Sequence, residues 1–224
     1  MEDHKSLVER LVRIGVIKSE KVRRAAERVK RHLFVPKKYK DMAYADTPLP
    51  IGEGQTISAP HMVFMMNELL DLEIGHRVIE IGAGSGYHAA TIAEIVAPID
   101  EPPDKWGYVV TAEINPTLST QAYYNLKEAG YLGRVHVINM DGSAGIPLID
   151  EVDRILVTAA APDVPEPLFA QLKERGKMVL PIGPPGGFFY GQELFVVEKK
   201  NGRMIKRRIT EVAFVPLRGR YGWS

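Results

Sequence analysis

The chain has 224 residues, no cysteine and a formal net charge of +1. That length suits one domain with an appendage and a sizeable core. The missing thiols exclude a disulfide framework, a thiolate metal site and a cysteine nucleophile, and near-neutral charge gives no bulk attraction to nucleic acid or membrane.

Charge is nevertheless uneven. Residues 1–40 carry 13 Lys and Arg against 5 Asp and Glu, which we read as solvated helix faces, a basic arm for an acidic partner being the alternative. Leu7, Val8, Leu11, Val12 and Ile14 share one face of a helix over 4–15. Ser19 then caps a second helix bearing Val22, Ala25, Ala26, Val29 and Leu33, ended by Phe34-Val35-Pro36. From Pro36 to Pro60 the prolines and glycines predict an irregular stretch, long enough to carry a task. Residues 1–59 therefore read as an N-terminal helical subdomain plus an active-site loop, and 60–224 as a core. No apolar run approaches the ~18–20 residues of a membrane span, and MEDHKSLVER has no signal-peptide centre. The expectation is a soluble, cytoplasmic protein.

A helix opens at Pro60 and runs to a break near Gly75. Strands are then predicted at 77–81, 108–112, 134–140, 152–157 and 177–182, and helices at 86–96, 116–129 and 165–174. Asn115 caps the second of these helices with Pro116 behind it. Such alternation predicts a doubly wound α/β fold on a mainly parallel sheet, with ligands beyond the strand C-termini. GQELFVVEKK and RMIKRRITEVAFVPL, joined by Asn201-Gly202, predict a closing antiparallel hairpin.

The run RVIEIGAGSGY (77–87) turns a β-branched strand through Gly82, Gly84 and Gly86 into an Ala-rich helix. Bare backbone N–H groups at a helix N-terminus suit a nucleoside cofactor. The spacing is G-x-G-x-G after Glu80, unlike the G-x-G-x-x-G of dinucleotide binders, and resembles motif I of the S-adenosylmethionine (SAM) methyltransferases. Glu113, at the end of the second core strand, is the acid expected on the ribose hydroxyls. It lies 27 residues past Gly86 where about 20 is usual, and the Pro- and acid-rich insertion at 98–104 accounts for the excess. Its alternative is an acid stabilised by the following helix dipole. Asp141-Gly142 closes the third strand, either at the adenine or as a simple turn.

The stretch LPIGEGQTISAPHM (49–62) resembles the pre-core motif of the protein-L-isoaspartate O-methyltransferases. The resemblance continues through HLFVP (32–36), VIEIGAGSGY (78–87), DRILVTAAAP (153–162), GKMVLPIG (176–183) and AFVPL (213–217). Departures are Met140, where the family commonly has glycine, the insertion at 98–104, and a short tail after Leu217. The resemblance implies a class I SAM-methyltransferase fold; the sequence leaves the oligomeric state open with monomer as the default, and charge and motifs give no expectation of a metal or of a nucleic-acid or membrane partner. It implies methylation of the free α-carboxylate of L-isoaspartyl residues in damaged proteins, after which the ester re-cyclises to a succinimide that opens partly to aspartate. Ser58 would orient the attacking carboxylate, although it also stands where it could cap the helix at Pro60. Thr56, Ile57, His61, Glu80, Gly82, Gly84, Ser85, Gly86, Tyr87, Glu113, Ile114, Asp141, Gly142 and Thr158 would surround the cofactor. A surface position is the alternative for His61.

Other readings fit less well. A nucleic-acid N-methyltransferase would carry [DNS]-P-P-[YFW] where Thr158-Ala159-Ala160-Ala161-Pro162 stands. A magnesium-dependent O-methyltransferase needs carboxylate ligands, and Asp141 and Asp163 have no convincing third. An NAD(P) oxidoreductase is opposed by the glycine spacing and the terminal hairpin. A SAM-dependent methyltransferase of another carboxyl or small-molecule substrate is the nearest alternative.

Overall fold

A computed structural model of the chain describes residues 3–186 and 191–223. Its centre is a seven-stranded sheet built from β3 (Arg77–Ile81), β4 (Tyr108–Glu113), β5 (Val135–Asn139), β6 (Val152–Val157), β7 (Leu172–Ile182), β8 (Gln192–Lys200) and β9 (Arg203–Val212). The order is β5-β4-β3-β6-β7-β8-β9. Strands β3 to β7 are parallel, and β8 and β9 run antiparallel. The chain therefore winds outward from β3 through β4 to β5, then returns to the other side of β3 at β6. That reversal opens a crevice beyond the C-terminal end of β3, where open α/β sheets place their ligands.

Period-two alternation sends successive residues of the central strands to opposite faces. Val78, Val109 and Leu156 join one apolar cluster, while Ile79, Val110, Ile155 and Val157 join the other. The first cluster also takes in Leu7, Leu11, Val22 and Ala25 from α1 (His4–Arg13) and α2 (Glu20–Arg28). It includes Val63, Met66 and Leu70 of α3 (Pro60–Leu70) and Ile92 and Ile95 of α4 (Tyr87–Val96) as well. Ser19 caps α2 as expected, accepting from the Val22 N–H. Its hydroxyl and N–H, with the Lys18 N–H, in turn reach Glu68 on α3. The N-terminal helices thus pack against the element that leads into the core.

Three segments differ from the sequence expectation. The stretch after Pro36 is not irregular throughout: a 3₁₀ segment covers Lys37–Met42, and β1 (Leu49–Gly52) and β2 (Gln55–Ile57) form a small antiparallel hairpin. Its turn is carried by Glu53 and Gly54, both at positive φ. The second helix stops at Arg28, and Leu33 belongs to a separate 3₁₀ segment, Arg31–Phe34. The helix expected over 165–174 is only α6 (Glu166–Ala170), because the chain enters β7 at Leu172, which pairs with Val152 of β6.

The other elements follow the sequence closely. Asn115 caps α5 (Pro116–Glu128) by accepting from the Leu118 N–H. Asn201 and Gly202 both adopt positive φ between β8 and β9, as a type I′ hairpin turn requires. The insertion at 98–104 is fastened rather than loose. Trp106 Nε1 donates to the carbonyls of Pro98 and Glu101, and Asp100 accepts from Arg28.

Candidate active site

Strand β3 delivers the chain into the turn Gly82-Ala83-Gly84-Ser85-Gly86, whose three glycines all hold positive φ. Two of them are required by close neighbours as well. A Cβ on Gly82 would lie 2.3 Å from Thr158 Oγ1, and one on Gly86 would lie 2.9 Å from Leu126 Cγ. Thr158, just past β6, donates its hydroxyl to the carbonyl of Gly82 at 2.7 Å and so ties the turn to the next strand. Asn125 of α5 donates to the Ser85 carbonyl at 2.9 Å. Gly86 occupies the α4 N-cap position and provides no side-chain cap; the Tyr87 N–H turns back to Ser85 Oγ at 3.4 Å, and the next first-turn N–H groups are left for a polar ligand.

Glu113 ends β4 and is 7% exposed. One carboxylate oxygen accepts from the Gly84 N–H at 2.9 Å and the other from the Asn115 N–H at 3.0 Å. A carboxylate has about four acceptor sites, so Glu113 retains capacity while being locked to the glycine turn. Asn115 also donates to Glu53 in the β1–β2 turn at 3.2 Å, which links the hairpin to this edge of the site.

These elements enclose a cleft of about 1020 Å³, counting its solvent-open mouth. Thr56, Ile57 and Ser58 form one wall; Gly82, Gly84, Ser85 and Tyr87 form another; Glu113, Ile114, Gly142 and Thr158 complete it. The segment 56–58 and the glycine turn are separated in sequence but face the same space.

Four of the expected residues do not line the cleft. Gly86 sits at the α4 cap, between the lining residues Ser85 and Tyr87. Glu80 is fully buried within β3, where the Thr111 hydroxyl donates to Oε2 at 2.5 Å and Oε1 has no partner. Burial drives the Glu80 pKa up to about 8; the Thr111 bond opposes this and the charge of Glu113 adds to it. His61 turns to Asp46, which accepts from its backbone N–H at 2.8 Å and pairs with Nδ1 at 2.9 Å. Asp141 engages the C-terminal tail: Oδ1 accepts from the Ser143 N–H and hydroxyl, and Oδ2 from the Arg220 N–H at 2.7 Å. Burial acts to raise the Asp141 pKa, but the Ser143 and Arg220 bonds outweigh it and hold it below the usual range.

The helix-capping alternative for Ser58 is absent here. Residue Ala59 is the α3 N-cap and makes no side-chain cap bond, and the His61 N–H that a cap would serve goes to Asp46. Several cleft residues escaped the sequence reading. His88 enters from the first turn of α4, a position that the glycine motif fixes one residue past Tyr87. It is bonded to Asn67 at 3.0 Å, and desolvation, opposed by a hydrogen bond to the Val63 backbone, pushes its pKa down to about 3 and holds it neutral. Val215, Pro216, Leu217 and Arg218 enter from the C-terminal segment. The bonds from Ala160 N–H to Val215 O and from Leu217 N–H to Ala160 O lay that segment beside the end of β6. Among the described residues there is no cluster of three or more His, Asp or Glu suited to a metal ion.

The family model for protein-L-isoaspartate(D-aspartate) O-methyltransferase matches residues 2–222. A protein-L-isoaspartate O-methyltransferase of Korarchaeum cryptofilum is 66% identical over 99% of this chain and 100% of its own length. One of Hyperthermus butylicus is 57% identical over 99% of this chain and 91% of its own. Among solved structures, a protein described as the Plasmodium falciparum enzyme, in complex with S-adenosyl-L-homocysteine, superposes with a TM-score of 0.85. It is 32% identical, with 97% of this chain and 99% of that chain covered. The sequence match from end to end and the shared fold agree with the cleft's geometry: this chain belongs to the protein-L-isoaspartate(D-aspartate) O-methyltransferase family.

Proposed function

We propose that this protein is a repair methyltransferase that transfers the methyl group of SAM to the free α-carboxylate of L-isoaspartyl residues in damaged proteins and peptides. The observation that carries the reading is the shared cleft, in which the segment Thr56–Ser58 faces the glycine turn and Glu113. The residues present fit the cofactor. Gly82, Gly84 and Gly142 present bare backbone to the cleft, the α4 N-terminus lacks a side-chain cap, and Glu113 keeps acceptor capacity for ribose hydroxyls.

When bound, SAM supplies an electrophilic methyl carbon on a positively charged sulfur. The receiving group needs no base: a carboxyl with a reference pKa of about 4 is already almost wholly the anion at pH 7. Bound there, SAM would supply the methyl carbon and leave as a neutral thioether, the acceptor carboxylate gaining one C–O bond for the C–S bond lost. Charge is neutralised on the way, so the protein's task is orientation in a partly dry cleft. Such orientation contributes up to about 7–11 kcal/mol in favourable cases. Ser58 orients the attacking carboxylate, Glu113 holds the ribose, and Thr56 and Ile57 close the wall between the two ligands. Gly142 lines the adenine end, where Asp141, outside the cleft, fastens the C-terminal tail through Arg220. No helix among the described residues is long and apolar enough to cross a membrane.

Chromatography of an isoaspartyl peptide incubated with the protein and excess SAM tests the repair outcome. A methyl ester, then a succinimide, then a growing fraction of the aspartyl peptide are expected. A stable ester that never yields aspartyl peptide would contradict the repair reading.

A further inference from the structure

Outside the cleft, the side chain that stands out is Arg31, on the 3₁₀ segment after α2. It is 1% exposed, and its guanidinium faces carbonyls: Nη1 donates to Ala43 O at 2.7 Å, and Nη2 donates to Thr47 O at 3.0 Å and to Ser58 O at 3.1 Å. The Tyr87 ring, part of the cleft wall, lies 6.0 Å from its central carbon. Desolvation pulls the Arg31 pKa down, only partly offset by Tyr87 and Asp46. Burying a cation against backbone dipoles is unfavourable unless the geometry is good, and a neutral side chain would fill the same volume without that cost.

The three carbonyls show what the cation fixes. They lie 12, 16 and 27 residues further along the chain, so one planar fork gathers the whole excursion from Ala43 to Ser58. Asp46, between the first two, clamps the other side of the same segment through the His61 N–H and ring, and Arg10 reaches its second oxygen. Ser58, whose hydroxyl is released from helix capping, is therefore held through its own carbonyl and through the residue three positions later.

We infer that Arg31 is a positioning residue for methyl transfer, setting the Ser58 segment against the cleft through the Ser58 carbonyl. This rests on the isoaspartyl reading above. Lysine keeps the charge but cannot reproduce a planar fork across three acceptors, and misplacement of a reacting group by ~1 Å can cost on the order of 100-fold.

The test measures kcat and KM on an isoaspartyl peptide, SAM affinity by calorimetry, and thermal midpoints, for wild type, Arg31→Lys and Val29→Ala. Val29 is buried two residues away, in the apolar cluster that also holds Ile57 and Tyr87, and serves as the stability control. Arg31→Lys is expected to lose at least about tenfold in kcat while SAM affinity stays within about threefold. Val29→Ala should keep its kcat wherever it is folded. The inference is overturned if Arg31→Lys keeps half its turnover, if SAM affinity falls in step with kcat, or if both variants lose activity only as they lose stability. Should Arg31→Lys not fold, Arg31→Gln carries the same expectations. A wild type inactive on the isoaspartyl peptide but binding SAM would overturn the reaction itself, an outcome distinct from a fully active Arg31→Lys.

Discussion

In the proposed mechanism Ser58 serves the acceptor and Glu113 the donor, and their substitutions should separate cleanly. Ser58 faces the cleft with its hydroxyl free of any capping role. Ser58→Ala is expected to lower turnover on an isoaspartyl peptide by about tenfold or more, the scale on which lost orientation acts. SAM binding by calorimetry should hardly change, and turnover within a factor of two of wild type would remove Ser58 from the mechanism. Glu113 is fastened to Gly84 and Asn115 and so aims its remaining lone pairs with little freedom. Glu113→Ala should weaken SAM by about tenfold, the order of a lost charged hydrogen bond. Unchanged affinity would rule out the ribose role.

At the scale of the element, the glycine turn was legible because its chemistry is local: strand, alternate glycines and Ala-rich helix all stand within RVIEIGAGSGY. Gly86→Ala tests its packing. The residue holds φ +87° and a Cβ would press on Leu126 at 2.9 Å. A loss of about 1–3 kcal/mol of stability is expected from strain and overpacking together, measured by denaturant unfolding; an unchanged midpoint would show that α5 yields. The elements that were misjudged lack such local signals. Strands β1 and β2 have four and three residues, too short for alternation to register beside so many prolines and glycines. The first half of β7, Leu-Lys-Glu-Arg-Gly, carries charge in place of a strand pattern, and Arg175 sits at positive φ. Its one pairing with β6, Leu172 to Val152, comes from a neighbour in space. The contribution of residues 215–218 to the cleft arises from backbone bonds to Ala160, a long-range contact without a periodic trace. The turn of Asp141 toward Arg220 is likewise set by the returning tail.

For the whole molecule, two buried groups give stability opposite dependences on pH. Glu80 in the folded state keeps its proton up to about pH 8, whereas the unfolded chain releases it near 4.5. The folded state therefore binds more protons between those values, and this contribution is lost as pH rises through the window. His88 behaves the other way. Held neutral down to about pH 3 against an ordinary 6.5, it contributes stability that is lost as pH falls from 6.5 toward 3. Glu80→Gln should remove the first effect: without ligand, its thermal midpoint should decline less than wild type between pH 5 and 8. Parallel declines would show that Glu80 is ionised in the fold.

The reaction is a property of the whole molecule as well, since acceptor wall, donor turn and C-terminal segment meet only when the sheet is assembled. Its central claim is best tested with SAM labelled in the methyl group and two peptides identical except for one residue, isoaspartyl in the first and aspartyl in the second. Label should enter the isoaspartyl peptide alone, as a base-labile ester. Equal labelling of both peptides, or transfer to neither while SAM is bound, would contradict the account.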